Sequence, residues 1–518
     1  MAAVVTDQFR ILNAENFVAS VADNANSYYA FLGLSNPTSP AVGFGRSTTW
    51  NTNTPNPADN FSYNSHYRDT SLFGKKLTSS NVRRVIKKRT WTQDVRYDMY
   101  RHDYGDGAQN VQAPVSKALR LYDADYYVIN KDFRVYVCIE NGSTGSIDPQ
   151  KSLNEPIHTG VGIPNAGSDG YRWKYLFTIS PSDVIKFDST EYIVLPNDWA
   201  TASNTSDIGI IREGGNSDAT GNTQIATVFI KDAGTGLADT VLGGVTVPIL
   251  GDGQNGQVNI KVQGGSITSA TVTNGGSGYT YGIVQYEGGT LIPIIPPSKG
   301  HGYDIYKELG AEKVLMYARF DDSTRDFPID TTFSQVGVIK NPETYAGAGT
   351  TFTGDTFSSL GAIMLNDAYS GTPVIGSVIT QVTNNAGDTA KAYVASYDKE
   401  TKVLKYYQDR SLYLNQTTGD HTGSSDVASR AKVVSFVSSS SNSNEINVSG
   451  IGATMNVNQN QNYVMKNNKK IDLGVTFTGG LANPEINKKT GDIIYIDNRP
   501  SVTRDSRQKE DVKIILEF

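Results

Sequence analysis

The N-terminal stretch carries the clearest helical spacing of apolar positions in this chain. Between residues 10 and 33, one face of a helix collects four apolar side chains: Phe17, Val18, Val21 and Tyr28. Asn13 or Asn16 can cap the start of this helix, and Gly33 is expected to end it. The pattern therefore predicts one helix over this range.

After Pro40 the pattern changes to short extended runs separated by Asn, Pro, Gly and Ser, which is typical of β-structure with long loops. Residues 126–130 and 134–140 are predicted to pair across Lys131 and Asp132, and residues 171–179 form another predicted strand. Residues 308–320 and 334–342 also have the composition of strands. The chain is therefore predicted to be mainly β with minor α.

Two segments differ from the rest because they are rich in glycine, serine and threonine. Between about 208 and 297 charge nearly disappears, and we predict strands at 258–262 and 265–273 with a tight hairpin turn at the glycines 275–278. Pro293, Pro296 and Pro297 stiffen the end of this small β-domain. The second segment, 350–470, has predicted strands at 376–382, 390–396 and 403–407, which suit a barrel or sandwich.

The C-terminal residues alternate apolar and polar positions in two runs, at 491–500 and 511–518. We expect Asn498, Arg499 and Pro500 to form the turn between them, because proline cannot donate to a strand ladder. A strand at the end of the chain needs a sheet built from distant sequence. The predicted organisation has five parts: 1–205, the N-terminal part of the core with α/β elaborations; 206–300, the first insert; 301–349, a return to the core; 350–470, the second insert; and 471–518, the C-terminal core strands.

Composition narrows the function without identifying it. The 518 residues carry a net charge of −6, which disfavours a polyanion-binding protein. The basic run at 83–89 could contact DNA, but its alternation with Val85 and Ile86 suits a strand that presents charge to an acidic neighbour. The 29 tyrosines favour broad, moderately polar contact surfaces.

The residues that usually carry chemistry are scattered. The single cysteine, Cys138, lies in an alternating run and is interpreted as a buried strand residue rather than a nucleophile. No two of the five histidines have metal-ligand spacing, and none accompanies a nucleophile elbow. We therefore predict no enzyme activity, no cofactor, no metal and no small-molecule substrate. No secretion signal or membrane span is evident, so we expect a soluble protein made in a reducing cytoplasm.

Five short blocks occur in the order in which one protein family carries them. They are 44–50 (FGRSTTW), 85–91 (VIKKRTW) with Arg96 and Tyr97, 170–177 (GYRWKYLF) continuing to 191–196 (EYIVLP), 335–342 (QVGVIKNP) and 494–500 (IYIDNRP). In these blocks the chain resembles the baseplate wedge subunit of T-even-type contractile-tailed bacteriophages, the dimeric wedge protein with an immunoglobulin-like core. Residues of about 206–300 and 350–470 have no counterpart in that family and enlarge the chain by two insertions.

The resemblance implies a two-layer β-sandwich core built from N- and C-terminal segments. It also implies a structural protein of the virion, located in the tail baseplate and assembled in the host cytoplasm. Its partners would be a second copy of itself and other baseplate wedge proteins, with no nucleic acid and no membrane. The motif residues predicted to serve interfaces or structure are Arg46, Trp50, Arg89, Trp91, Trp173, Tyr495 and Arg499. For the tryptophans, core packing is weighed against partner contact.

Two other functions compete with the structural one. A tail-associated adsorption protein could bind carbohydrate through Tyr279, Tyr281 and Tyr286 of the first insert. A tail-borne glycosidase would need two carboxylates about 5 to 9 Å apart. Neither alternative accounts for the five ordered blocks outside the insert.

Overall fold

The computed structural model of the protein describes residues 5–35, 48–104, 115–214, 224–241, 243–321, 331–383, 389–413, 433–438, 444–505 and 508–518. Strands make up 40% of it and helices 12%, which confirms the prediction of a mainly β protein with minor α. None of the helices in these ranges combines the length and the apolar character that crossing a bilayer requires.

The elements are numbered along the chain. The α-helices are α1 Asp7–Ala22, α2 Phe61–Thr70, α3 Pro181–Phe187, α4 Asp207–Gly214 and α5 Ile305–Glu308. The first fifteen strands are β1 Tyr28–Gly33, β2 Ser71–Leu77, β3 Val82–Lys87, β4 Tyr127–Ile129, β5 Arg134–Asn141, β6 Tyr171–Thr178, β7 Tyr192–Val194, β8 Val228–Asp232, β9 Val245–Pro248, β10 Leu250–Gly251, β11 Gln257–Gln263, β12 Ser266–Asn274, β13 Gly282–Tyr286, β14 Gly289–Pro293 and β15 Lys313–Phe320. The other strands are β16 Thr332–Lys340, β17 Glu343–Thr344, β18 Thr356–Ser358, β19 Gly361–Met364, β20 Val378–Val382, β21 Thr389–Asp398, β22 Val403–Tyr407, β23 Glu445–Val448, β24 Ile451–Thr454, β25 Tyr463–Lys466, β26 Lys469–Asp472, β27 Leu481–Ala482, β28 Ile486–Asn487, β29 Asp492–Thr503 and β30 Glu510–Glu517.

The chain divides into two compact units. Unit 1 contains Met1–Val18, Arg83–Leu315 and Ile515–Phe518, and unit 2 contains Ala19–Val82 and Met316–Ile514. The chain passes from one unit to the other inside α1, β3, β15 and β30. Both units therefore combine sequence from distant parts of the chain. The finer division into five parts stays a prediction.

Unit 1 contains the predicted hairpin and the first insert. β4 pairs with β5 and β5 with β6, all antiparallel, which confirms the strands predicted from 126 to 179. In the insert, β8 to β14 form a four-stranded and a three-stranded sheet around a core that includes Val258, Ile260, Val262, Val284 and Leu291.

The tight hairpin turn of the insert lies elsewhere than predicted. β11 and β12 are joined through Gly264 and Gly265, both at positive φ, which a glycine adopts without strain. The glycines 275–278 instead form a loop after β12, where Ser277 bridges to Gln254. The prediction was wrong because Gly-Gly can make the turn as well as Asn-Gly can.

Unit 2 is built on a five-stranded sheet in the order β18-β2-β1-β16-β29. Strands from the N-terminal, middle and C-terminal parts of the sequence therefore share one sheet. One core packs Tyr29, Phe31, Ile339 and Phe357 together. Gly74 of β2 fits under Phe357, since a Cβ at this position would lie 2.2 Å from the Phe357 ring.

Six strands of the second insert form a seven-stranded sheet in the order β24-β23-β20-β21-β22-β19-β27, whose last strand, β27, comes from the C-terminal part of the chain. β20, β21 and β22 match the strands predicted at 376–407. One core cluster includes Ile363, Ile379, Val394 and Leu404, and another includes Met364 and Phe477.

The predicted helix over residues 10–33 is wrong at both ends, since α1 begins at Asp7 and the expected caps Asn13 and Asn16 lie inside it. α1 ends at Ala22, and residues 28–33 form the fully buried strand β1. Asp23 turns the chain, accepting a 2.9 Å hydrogen bond from the Ala25 amide. The aromatic run that follows has high β-propensity, and its burial in a central strand outweighs the helical spacing of Tyr28.

The predicted turn at Asn498, Arg499 and Pro500 is also wrong. β29 continues through these residues to Thr503 and lies at the edge of the five-stranded sheet. An edge strand tolerates proline because one side of its backbone needs no ladder partner. The pairing of β29 with β16 shifts register twice, and one shift leaves Ile494 as the extra residue of a bulge.

Candidate functional site

The blocks that carry the resemblance gather into two groups of buried contacts, one in each unit. In unit 2, Trp50 is 1% exposed and its indole Nε1 donates a 2.7 Å hydrogen bond to the backbone oxygen of Arg499. Asn51 accepts a 2.9 Å bond from the Ser501 amide. Two predicted motif residues that are 449 positions apart are therefore in direct contact.

A buried polar network joins a further block to this contact. Gln335 is fully buried, and its Nε2 donates a 2.8 Å bond to Oδ1 of Asn498. Thr70 donates to Oε1 of Gln335 at 3.2 Å, and Nδ2 of Asn498 donates to the Pro55 backbone oxygen at 2.9 Å. The side-chain amides of Gln335 and Asn498 each donate one hydrogen bond and accept another. The network therefore fixes β16, β29 and the segment near residue 55 against one another.

The remaining motif residues of unit 2 differ in exposure. Tyr495 is half-buried in β29, and burial raises its pKa. The Arg499 side chain is 60% exposed and forms a 2.7 Å ion pair with Asp497, so only its backbone belongs to the buried network. Arg46 lies outside the described residues.

The second group, in unit 1, is aromatic. Trp173 stacks on Tyr171 with ring centroids 5.5 Å apart, and Tyr97 meets Trp173 edge to face at 5.6 Å. The Tyr171 hydroxyl accepts from the Tyr97 amide and donates to the Gln150 backbone oxygen. Trp91 is half-buried and donates from Nε1 to Ser152 at 3.0 Å. The residues of two blocks thus form one core.

The basic run on β3 and the residues after it is largely engaged within unit 1. Arg89 is 7% exposed, ion-paired with Asp125 and placed 4.4 Å from the centroid of the Tyr127 ring. Arg84 is 6% exposed and lies over Tyr306. Lys88 pairs with Asp188 at 3.1 Å, and Arg83 pairs with Asp183 at 3.0 Å. These contacts with acidic and aromatic groups of the same chain leave little of the run to face a polyanion.

Two buried polar clusters were not predicted from the sequence. In unit 1, Glu308 is 2% exposed and accepts 2.7 Å bonds from His301 Nδ1 and from the Gly302 amide, while Tyr100 packs edge-on against His301. Lys174 is nearly inaccessible, donates to the Val161 backbone oxygen, and has its pKa lowered by burial. A spacing of seven residues between His301 and Glu308 matches no known motif, so this pair could not be predicted from the sequence.

The polar cluster of unit 2 surrounds the end of α2. Asp69 is paired with Arg410 at 2.8 Å, and Asp409 lies 3.3 Å from His66 Nδ1. Lys488 donates a 3.1 Å bond to the Asp69 backbone oxygen, and burial lowers the pKa of Lys488 to about 8 although Asp69 and Asp409 oppose the shift. This cluster ties the second insert and the C-terminal segment to α2.

The tyrosines of the carbohydrate alternative do not share a surface. Tyr279 is 2% exposed and donates to the Ile249 backbone oxygen, and Tyr286 packs against the core of the insert. Tyr281 alone is open, at 63% exposure. A groove of about 850 Å³ lies nearby, lined among others by His102, Lys299 and Tyr303.

Cys138 lies in the core of unit 1. Cys138 is fully buried in β5, and burial raises the pKa of its thiol. In the parts of the chain with a described structure, no three His, Cys, Asp or Glu side chains come together to hold a metal ion.

Comparisons with known proteins leave the family open. No protein-family model matches the chain, and no curated protein matches it. The geometry of the two groups of contacts is therefore the main basis for interpreting the motifs.

Proposed function

We propose that the protein is a structural component of a phage tail baseplate wedge, which dimerises and joins neighbouring wedge subunits in the contractile injection machine. The proposal starts from the five ordered blocks that resemble the dimeric wedge subunit. It treats the chain as a scaffold whose work is adhesion between subunits. The two insertions would add surface to that scaffold.

The observation that carries the proposal is the hydrogen bond between Trp50 and the backbone of Arg499. Motif residues that served a chemical site would be expected to present polar side chains to a cleft. Here the motif residues hold the edge strand of the five-stranded sheet in place. Trp50 and Gln335 are buried, and Arg499 contributes its carbonyl group. Such residues support a framework that must keep its shape while contacts around it break and form.

The carbohydrate-binding alternative has less support. Sugar recognition would need aromatic faces presented together on an accessible surface. Tyr279 and Tyr286 are committed to the core of the insert, which leaves Tyr281. An adsorption role would have to use other residues of the insert.

The proposal is tested by locating the protein in particles. Antibodies raised against the purified chain are applied to tails purified from the virus that encodes it, and gold labelling is examined by electron microscopy. We expect label at the baseplate end of contractile tails. Label restricted to the capsid, to the outer tips of fibres, or absent from particles would overturn the proposal.

A genetic test uses matched variants. In complementation of a strain lacking the gene, Trp50→Ala should yield tails without complete baseplates, because it removes a buried anchor of the core sheet. Arg499→Ala should support normal assembly, since its side chain is exposed. Infectious particles from the gene deletion itself would argue against a structural role.

A further inference from the structure

The groove of about 850 Å³ in unit 1 has the dimensions of a ligand site. Its lining includes residues 277–280 of the first insert, together with Pro296, Pro297 and Tyr303, which follow β14. Sites for drug-sized ligands have volumes of about 300–1,000 Å³ and combine apolar walls with a few polar groups. The groove therefore suits a short chain of rings and is too small for a folded domain.

Lys299 brings an ammonium group to this groove from an unfavourable backbone position. The Gly300 amide donates a 2.8 Å bond to the Pro297 oxygen, which closes a four-residue turn with Lys299 in third place. The φ of Lys299 is +66°, a value that glycine adopts without strain and lysine does not. Strained residues of this kind cluster at ligand-binding sites, where the side chain has a role.

The charge of Lys299 is not neutralised by the described residues. Its Nζ donates a 2.8 Å bond to the Tyr303 hydroxyl, which carries no charge. Glu213 is the one carboxylate among the described lining residues, and it is paired with Arg212 at 3.1 Å and acts on Lys299 only at longer range. An anionic group placed in the groove would therefore gain a charge-assisted hydrogen bond from Lys299.

His102 adds a neutral donor to the same groove. The Ile295 amide donates a 3.1 Å bond to Nδ1 of His102, so this nitrogen carries no proton. The ring proton is therefore on Nε2, and no group in the described part of the chain accepts it. A ligand hydroxyl can accept this proton, and Oε2 of Glu213, which is not the oxygen paired with Arg212, can accept from another hydroxyl.

These groups favour an acidic saccharide over a peptide or a nucleic acid. An extended peptide would pair its backbone with an exposed strand, but β13 and β14 have a neighbouring strand on each side, and Pro296 and Pro297 have no N–H. A nucleic acid needs a series of cations, whereas Lys299 is the one lysine or arginine among the described lining residues. A saccharide with a carboxylate matches one ammonium group beside groups that bind hydroxyls.

From these observations we infer that the groove binds a short acidic saccharide, whose carboxylate is held by Lys299 and whose hydroxyls are held by His102 and Glu213. The site differs from the tyrosine surface of the carbohydrate alternative, because Tyr281 and Tyr286 are not among its lining residues. This binding activity is additional to the proposed structural role and does not depend on it.

Isothermal titration calorimetry of the full-length protein tests the site with three acidic tetrasaccharides, built of galacturonate, mannuronate or hyaluronan units. We expect saturable binding of at least one, and an affinity at least tenfold lower when its carboxylates are methyl esters. Lys299→Gly should weaken binding of the acid form at least tenfold and give acid and ester similar affinities. Binding of none of the three, or binding that Lys299→Gly leaves unchanged, would overturn the inference.

The turn at Lys299 separates a binding role from a structural one. Because glycine suits a φ of +66°, Lys299→Gly should keep or raise the midpoint of thermal unfolding while binding is lost. Lys261→Met is the matched control and should bind as the natural protein does, since Lys261 is exposed on β11 and does not line the groove. A midpoint that falls together with the affinity would show that Lys299 serves the structure, and would refute the inference.

Proton NMR of the histidine rings locates the bound saccharide. The ring signals of His102 should shift on titration with the tetrasaccharide that binds, and His102→Gln identifies these signals. The ring of His158, which bonds to the Trp173 backbone oxygen at 2.8 Å and lies outside the groove, should not respond. A saturated complex in which the His102 signals stay in place would contradict the assignment of the site.

Discussion

Trp50 donates a hydrogen bond of 2.7 Å from its indole nitrogen to the backbone oxygen of Arg499, which lies 449 positions later in the sequence. The contact joins the segment after residue 48 to the edge strand β29 inside unit 2. Because Trp50 is 1% exposed, the bond is shielded from water, and a water molecule could not replace the donor if it were removed.

Substitution of Trp50 should separate packing from hydrogen bonding. Trp50→Ala is expected to lower the free energy of unfolding of unit 2 by about 3 to 5 kcal/mol, as large buried aromatics do. Trp50→Phe should cost about 1 to 3 kcal/mol, because it leaves the Arg499 oxygen without a donor. Urea denaturation measures both. Arg499→Ala is the control and should change the value by less than about 1 kcal/mol, since its ion pair with Asp497 is exposed.

Gly74 should not accept a side chain. Gly74→Ala would place a Cβ 2.2 Å from the ring of Phe357, and overpacking of this kind costs about 1 to 3 kcal/mol. The midpoint of thermal unfolding should fall accordingly. Adding Phe357→Leu should recover part of the loss by making room. If the double variant instead loses as much stability as the two single variants added together, the two residues do not compete for space.

Unit 2 should become more stable as the pH rises above 8, because the buried Lys488 side chain then loses its charge. Burial lowers the pKa of Lys488 to about 8, so between pH 8 and its ordinary value of 10.5 the unfolded chain holds a proton that the folded chain has lost. The free energy of unfolding therefore rises with pH across this window through Lys488, and below pH 8 the full cost of burying the charge applies. Denaturation at pH 7.5 and 9.5 should show a larger increase for the natural protein than for Lys488→Met. An identical increase in both proteins would rule out this coupling.

The basic run at 83–89 should contribute to the stability of unit 1 and should not bind nucleic acid. Arg89→Ala removes the ion pair with Asp125 and the donors to the backbone oxygens of Tyr122 and Asp123, and we expect a loss of about 2 to 4 kcal/mol in the unfolding of unit 1. Arg96→Ala, at an exposed position, should change little. Neither substitution should alter retention on immobilised DNA. Tight, salt-sensitive DNA binding that Arg96→Ala abolishes would contradict this interpretation.

The sequence identified most of the longer strands, missed many of the short ones, and failed where tertiary context decides. β5, β6, β20, β21 and β22 were predictable because their own residues alternate or are β-branched and aromatic. β1 was predicted as helix because Tyr28 fits a helical spacing, although the buried sheet position determines its conformation. The turn at Pro500 was predicted from proline alone, which cannot reveal that β29 lies at an edge.

The motif residues show the same limit. That Trp50 and Trp173 anchor cores follows from their size, but their partners do not, because Arg499 and Tyr97 lie at separations that no local pattern encodes. The buried pair of His301 and Glu308 and the cluster at Lys488 were missed for a related reason. Each side chain is ordinary in its own segment and becomes unusual only through its neighbours in the fold.

The extra residue at Ile494 has a consequence for crowded conditions. An open sheet border offers a row of amides and carbonyls onto which further copies can add, one after another. At Ile494 the regular alternation of these groups is broken, and at the Trp50 end the row is already occupied. This border is therefore protected from seeding fibrous aggregates when many copies of the chain are concentrated at one place.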